Sequence, residues 1–349
     1  MYESFFGFTG KPFQLNPDPS FFFGSRGHKR AFAYLEYGLY QSEGFIVITG
    51  DIGAGKTTIV RSLLEQLDSA KVVAAQLVST QLEADDMLRA VGVAFGLPVK
   101  SVDKAILLAS LEAFLCQLAV DKRRALLIVD EAQNLAPRAV EELRMLSNFQ
   151  FGDKALLQSF LIGQPELRSM MQSAEMQQLR QRVIASYHLG PLDRGETRGY
   201  IEHRLNRVGW KNDPKFEPAC FDLIHDLTNG IPRRINTLCN RLLLAAFLAE
   251  KRSLDTTDVQ AIANEIREEL GPQSPLSTVP VVGGEGEPAG DGQRSTRVDA
   301  SVWHTRFNQI DERIDRLERT VGGAVDLLHR LLHPEKATKP EKSEKSAGR

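Results

Sequence analysis

The nine residues Gly50, Asp51, Ile52, Gly53, Ala54, Gly55, Lys56, Thr57 and Thr58 follow the apolar run FIVIT and precede a helix-forming segment, IVRSLLEQL. Gly50, four residues, then Gly55-Lys56-Thr57 is the complete P-loop spacing, in the strand-to-helix setting that this pattern requires. Each residue type answers a physical need. Glycines let backbone N–H groups turn inward around a β-phosphate, and the dipole of the following helix adds to the attraction. Lys56 is expected to reach β- and γ-phosphate oxygens, and Thr57 to ligate Mg²⁺. The alternative is a chance match in a turn, and the flanking strand and helix argue against it.

A second chemical element is ALLIVDEAQNL, residues 125–135. An apolar strand ending in Asp130 places a carboxylate beside a phosphate-bound metal, as a Walker B aspartate does. Glu131 follows directly, where a carboxylate can polarise water for attack on a γ-phosphate. This pair favours hydrolysis over simple nucleotide sensing. No N-K-x-D sequence follows, which points to ATP rather than GTP. Two arginine pairs complete the set: Arg180 and Arg182 at the end of a predicted helix, and Arg233 and Arg234 at the start of another. An arginine from a neighbouring subunit or a lid can neutralise charge on a transferring phosphoryl group. Taken alone, each fits a solvated surface better than a site.

Positioning these residues requires a sheet. The strand candidates 45–49, 71–79, 125–130 and 156–163 are near-continuous apolar runs. They alternate with helix-period segments at 56–67, 82–95, 104–120 and 137–148. That alternation predicts an α/β architecture, a parallel sheet with helices on both faces, over residues 1–192. From 193 to 270 strands give way to helices at 194–208, 217–228, 232–250 and 256–269, an all-helical domain. Asp255-Thr256-Thr257-Asp258 offers caps for the last helix, and Gly230-Ile231-Pro232 breaks the chain before the third. Residues 271–302 are rich in proline and glycine and read as a disordered linker. Beyond it, Trp303, Phe307, Ile310, Ile314, Leu317, Val321, Ala324, Leu328 and Leu331 keep steps of four and three. This heptad seam predicts an amphipathic coiled-coil helix over 303–333 for self-association or a partner coil, the alternative being a helix docked on its own domain. The charged tail, 334–349, is expected to be disordered.

Composition narrows the class further. The chain has 349 residues, 42% hydrophobic and 25% charged, with a formal net charge of −2. That balance gives no global attraction to nucleic acid or anionic lipid. Cys116, Cys220 and Cys239 form no metal-type pair and read as small core residues of a reduced, cytoplasmic protein. The aromatic N-terminus is interrupted by Lys11 and prolines and develops no signal-peptide core. No run approaches the ~20 apolar residues of a membrane span.

In order, GDIGAGKTT, LLIVDEAQNL, FLIGQPEL, LRQRV and GIPRRIN resemble the motifs of AAA+ ATPases of the ExeA/general secretion pathway protein A group. The opening YESFFGFTGKPFQLNPDPSFFFGSRGHKRAFAYLEYGL is similar to the N-terminal signature of that group. The resemblance covers residues 1 to about 270 and is strongest to secretion ATPases encoded with exosortase (PEP-CTERM) and exopolysaccharide loci. It implies a P-loop NTPase sheet with a helical lid, binding ATP and Mg²⁺ and converting ATP and water to ADP and phosphate. It implies that Gln164 is sensor 1, Arg182 the arginine finger with Arg180 as the competing candidate, and Arg233 the sensor 2 arginine. Phe22, Phe23 and Gly24 fall in the adenine pocket. Many relatives have an asparagine where this chain has Ser79 and Thr80, so the device that switches Glu131 is not implied. The transmembrane and peptidoglycan-binding regions of the secretion relatives are replaced by the linker and heptad helix.

The leading expectation is a homo-oligomeric ATPase that serves envelope export or polysaccharide-assembly proteins from the cytoplasmic side, with membrane association only through partners. Two other classes compete. One is a DNA-associated regulator of the TniB/MuB transposition type, against which the near-neutral charge argues. The other is a scaffold whose nucleotide only stabilises structure.

Overall fold

The computed structural model describes residues 1–78, 83–99 and 103–270; the expected linker, heptad helix and tail, and Ser79 and Thr80, lie outside the described residues. Five parallel strands form one sheet in the order β2-β3-β6-β1-β7: β1 (Phe45–Gly50), β2 (Val72–Leu77), β3 (Arg124–Val129), β6 (Leu157–Gly163) and β7 (Val183–Leu189). A two-stranded hairpin, β4 (Gln150–Phe151) and β5 (Lys154–Ala155), precedes β6. Every residue of β1 and β6 is buried, whereas the edge strands β2 and β7 are mostly half-buried. The continuous apolar runs are therefore those that must be dry on both faces.

Alternation along each strand assigns the two faces. Phe45, Val47, Leu127, Val129, Leu157 and Leu161 join α4 (Ala84–Ala94), α5 (Lys104–Val120) and α6 (Pro137–Leu146) in one core. Ile46, Ile48, Leu126, Ile128, Phe160 and Ile162 face the other way, against α2 (Arg26–Gln41) and α3 (Lys56–Gln66). The short helices α7 (Pro165–Met171) and α8 (Gln177–Arg180) connect β6 to β7.

The helical part comprises α9 (Arg194–Arg207), α10 (Pro218–Thr228), α11 (Pro232–Leu248) and α12 (Thr256–Leu270), with a two-residue parallel pairing of β8 (Lys215–Phe216) and β9 (Ser253–Leu254). Asp193 starts α9 with a capping box shared with Glu196, satisfying donors the first turn would leave unpaired. The core of this part also takes in the beginning of the chain. Tyr2 and Phe6 of α1 (Tyr2–Phe6), Phe8 and Phe13 are buried among Ile201, Leu205, Leu238 and Leu242. Residues 1–13, expected with the sheet as part of 1–192, instead fill the helical core with their aromatic surface. One backbone bond and one side-chain bond hold them there: Thr9 N–H donates to Val208 O at 2.9 Å, and Tyr2 Oη donates to Asn240 Oδ1 at 2.8 Å. Cys220 and Cys239 are buried, free thiols in the same core.

Strand register decides which loop residues meet. Thr49 lies beside Gly163, and Val129 beside Leu161. The C-terminal ends of β1, β3 and β6 therefore deliver Gly50, Asp130 and Gln164 to one edge of the sheet.

Candidate active site

At that edge the P-loop turns from β1 into α3. Gly53 and Gly55 adopt φ of +82° and +102°, left-handed values that favour glycine. Lys56 is buried, and its Nζ donates to Gly50 O at 2.6 Å and Asp51 O at 3.0 Å. Burial pushes its pKa down, opposed by the charges of Glu131, Asp130 and Asp51. A phosphate in the loop would supply the anion that this buried ammonium otherwise finds only in nearby carboxylates and carbonyl dipoles.

Thr57 Oγ1 donates to Asp130 Oδ2 at 3.1 Å, and Asp130 Oδ1 accepts from the Glu131 N–H at 3.0 Å. Burial raises the Asp130 pKa, against the lowering effect of those hydrogen bonds and of Lys56. A hydroxyl and a carboxylate in contact beside a phosphate loop are a hard-oxygen donor pair of the kind that holds Mg²⁺ with phosphate and water. The chemistry of this donor set therefore fits the ion.

Glu131 has φ of +53°, an uncommon value for a non-glycine residue, and its side chain lines the cleft above the P-loop. Its Oε2 accepts from Gln133 Nε2 at 2.6 Å and from Gln164 Nε2 at 2.9 Å. Burial works against its charge, but these amide bonds and the Lys56 ammonium outweigh it and hold the carboxyl below its ordinary range. A carboxylate is thus kept ionised at the mouth of the phosphate loop.

The cleft encloses about 390 Å³ and has three walls. Ile52, Gly53, Gly55, Lys56, Thr57 and Thr58 form its floor. Phe22 and Phe23 line it together with residues 14–18, while Gly24 does not. Tyr200, Arg204, Arg233 and Asn236 of the helical part close it. Arg233 is in the first turn of α11, and its N–H donates to Gly53 O at 3.1 Å, so the helical part touches the phosphate loop itself.

Arg180 and Arg182 lie elsewhere. Arg180 Nη1 donates to Met171 O at 2.6 Å and Ser173 O at 2.7 Å, capping the end of α7. Arg182 precedes β7 and donates to Ser147 Oγ at 2.7 Å. Since Val183 pairs with Phe45 and Leu189 with Gly50, Arg182 stands at the opposite end of the sheet from its own P-loop. Six to seven residues at ~3.3 Å each put it roughly 20 Å away.

Several lining or supporting residues carry no motif. Gln133, inside DEAQN, donates to Glu131, and adjacency to that residue is its one signal in the sequence. His28 is buried, takes a 2.7 Å bond between its Nδ1 and Ser25 Oγ, and lines the cleft beside Gly55. A Cβ on Gly55 would come within 2.6 Å of His28 Nε2. Arg204 is buried, donates to Pro12 O at 2.5 Å and to Tyr200 Oη at 2.9 Å, and lies over the Phe21 ring.

A parallel sheet of this order, with a P-loop after β1 and acidic residues after β3, defines a P-loop nucleotide-binding domain of the AAA type. Residues 39–171 match the family described as AAA domain. The chain is also 39% identical over 268 residues to General secretion pathway protein A of Aeromonas hydrophila, covering 76% of this chain and 48% of that protein. It therefore spans about half the length of the curated relative it matches. These findings support grouping the chain with ExeA-like AAA ATPases. Among solved structures, the ADP form of the Aeropyrum pernix ORC2 protein is similar with a TM-score of 0.53 at 20% identity, covering 70% of this chain and 69% of that one. The Aeropyrum pernix ORC1 protein in complex with DNA gives 0.54 at 17% identity, covering 74% and 70%. At such identities the likeness is one of fold.

Proposed function

We propose that the chain is an ATPase that works as a nucleotide-driven switch or motor. The observation that carries this reading is the placement of Glu131, an ionised carboxylate held in the cleft next to the Asp130–Thr57 pair and above Lys56. Lys56 neutralises phosphate charge, and Phe22 and Phe23 offer an apolar wall for the adenine. Thr57 and Asp130 would hold Mg²⁺, which when bound would supply neutralisation of phosphate charge. Glu131 orients a water and draws its proton as the water oxygen bonds to the γ-phosphorus. The bond from that phosphorus to the β–γ bridging oxygen breaks, leaving ADP and phosphate. Gln164 stands where a polar group senses the γ-phosphate, and Arg233 links nucleotide state to the helical lid. Arg182 acts on the site of a neighbouring copy, since its own P-loop is out of reach.

This reading supports a homo-oligomer. The identity to General secretion pathway protein A and the motif order support a role in envelope secretion, driving or regulating protein sorting linked to exosortase and exopolysaccharide loci. Among the described residues no helix is long and apolar enough to cross a membrane, so membrane association is assigned to partners. Glu131→Gln should keep ATP binding and lower turnover at least about 100-fold, the lower end of what one acid–base group typically contributes. Lys56→Ala should lose binding. Unchanged turnover in Glu131→Gln would remove the mechanism. Affinity capture of the ATP-loaded Glu131→Gln protein from its own cells should recover export or polysaccharide-assembly proteins; recovery of transposition proteins with DNA would overturn the pathway assignment.

A further inference from the structure

Gln133 does not line the nucleotide cleft, and it sits in the short turn of helix Ala132–Asn134 after the acidic pair. Its side chain is nevertheless committed at both ends. Nε2 donates to Glu131 Oε2 at 2.6 Å, and Oε1 accepts from the Gln164 backbone N–H at 2.9 Å. Gln164 then returns its own Nε2 to the same Glu131 oxygen at 2.9 Å. The three residues close a ring that joins the end of β3 to the end of β6.

Two further observations show that the ring is built into the fold. A Cβ on Gly163, the last residue of β6, would stand 2.8 Å from Gln133 Oε1 and 2.8 Å from Leu167 Cδ2, so the bare glycine makes room for this amide and for the first turn of α7. Glu131 holds a left-handed backbone conformation, uncommon for a non-glycine residue, and this sets where its side chain leaves the chain.

We propose that Gln133 is a positioning residue that aims the Glu131 carboxylate, and that Gln164 ties this aim to the γ-phosphate. The inference rests on the reading of Glu131 as the group that orients water. Two donors converging on one oxygen fix the carboxylate plane more tightly than either alone. The Gln164 amide nitrogen carries two hydrogens, and only one is needed for Glu131. The second can be given to a phosphate oxygen without opening the ring. A phosphate that draws on Gln164 therefore moves the carboxylate, through bonds that Gln133 keeps closed. Since misplacing a reacting group by about 1 Å can cost on the order of 100-fold in rate, loss of this aim should appear in turnover and not in binding.

The test uses the full chain and Gln133→Met, which keeps side-chain length and removes both hydrogen bonds. The expected result is kcat lowered about tenfold or more, with KM and the affinity for a fluorescent N-methylanthraniloyl ATP within twofold of the parent. Gly163→Ala, which crowds the Gln133 amide, should lower kcat in the same way, and the double variant should lose little beyond either single one. In a Glu131→Gln background, Gln133→Met should leave single-turnover hydrolysis unchanged. A kcat within twofold of the parent in Gln133→Met overturns the proposal, as does a parallel tenfold loss of nucleotide affinity, the mark of a structural role. If Gln133→Met fails to fold, Gly163→Ala is judged by the same criteria. Normal turnover in Glu131→Gln alone would refute the underlying mechanism, a separate outcome from normal turnover in Gln133→Met.

Discussion

The contact between Gly53 and α11 is the most direct mechanical link from the phosphate loop to the helical part, and Gly53→Ala tests it. Gly53 has φ of +82°, and a Cβ there would lie 2.3 Å from Arg233 Cβ. Ordinary contact begins at 3.4 Å, so the two segments must part by 3.4 − 2.3 = 1.1 Å or more. The atom in the way is a Cβ fixed to the first turn of α11, so no flexible side-chain end can swing aside. The left-handed backbone costs alanine about 1–2 kcal/mol. The parting strains the 3.1 Å bond from Arg233 N–H to Gly53 O, worth about 1 kcal/mol. Gly152→Ala is the control: its φ is +68°, with nothing within 4 Å of the added Cβ, so it carries the backbone cost alone. At about 2–4 °C per kcal/mol for a unit of this size, Gly53→Ala should melt about 3 °C or more below Gly152→Ala. ATP affinity, measured by N-methylanthraniloyl ATP fluorescence, should fall at least about tenfold in Gly53→Ala, because the displaced loop cradles the phosphates, and stay within twofold in Gly152→Ala. Equal melting points and equal affinities would refute the link between loop and lid.

Two further outcomes follow from the same geometry. Arg182→Ala should lower steady-state turnover at least about 100-fold while ATP affinity stays within twofold, and mixing it with Lys56→Ala subunits should restore part of the rate; no restoration would argue against action between subunits. Burial lowers the His28 pKa below its ordinary 6.5, so between those two values the unfolded chain binds more protons than the folded one. Stability linked to His28 is therefore complete above pH 6.5 and lost as pH falls through the folded value. His28→Gln should reduce the drop in melting temperature between pH 7.5 and pH 5.5, and an unchanged drop would assign that dependence to other groups.

Much of the sheet was legible because its central strands are buried on both faces and so carry few polar residues. FIVIT, ALLIVD and LLQSFLIG each mark a strand to within a residue or two, and the motif residues lie at their ends. What stayed hidden depends on contacts between distant segments. Gln133 reads as an ordinary amide until β3 and β6 are known to be neighbours in register. Arg204 lies in the charged sequence of α9 and looks like any solvated arginine. Its burial depends on the carbonyls of Pro12 and Gln14, the latter 190 residues away. The N-terminal aromatics show no helical or strand period, so nothing local says which core they enter.

That N-terminal segment also ties the two sides of the cleft together. Arg204 of α9 grips Pro12 O, while Arg61 of α3 donates to Pro17 O at 2.7 Å. The same short stretch is thus tied to the helical part at one end and to the helix of the phosphate loop five residues later. Phe22 and Phe23 follow within the next turn of chain and line the cleft between those anchors. A nucleotide held there would touch the strap, the loop and α11 together. Loss of its γ-phosphate would act on Lys56 and Gln164 directly and on the lid through Gly53 and Arg233, so chemistry at one phosphate can bias the placement of a whole helical core.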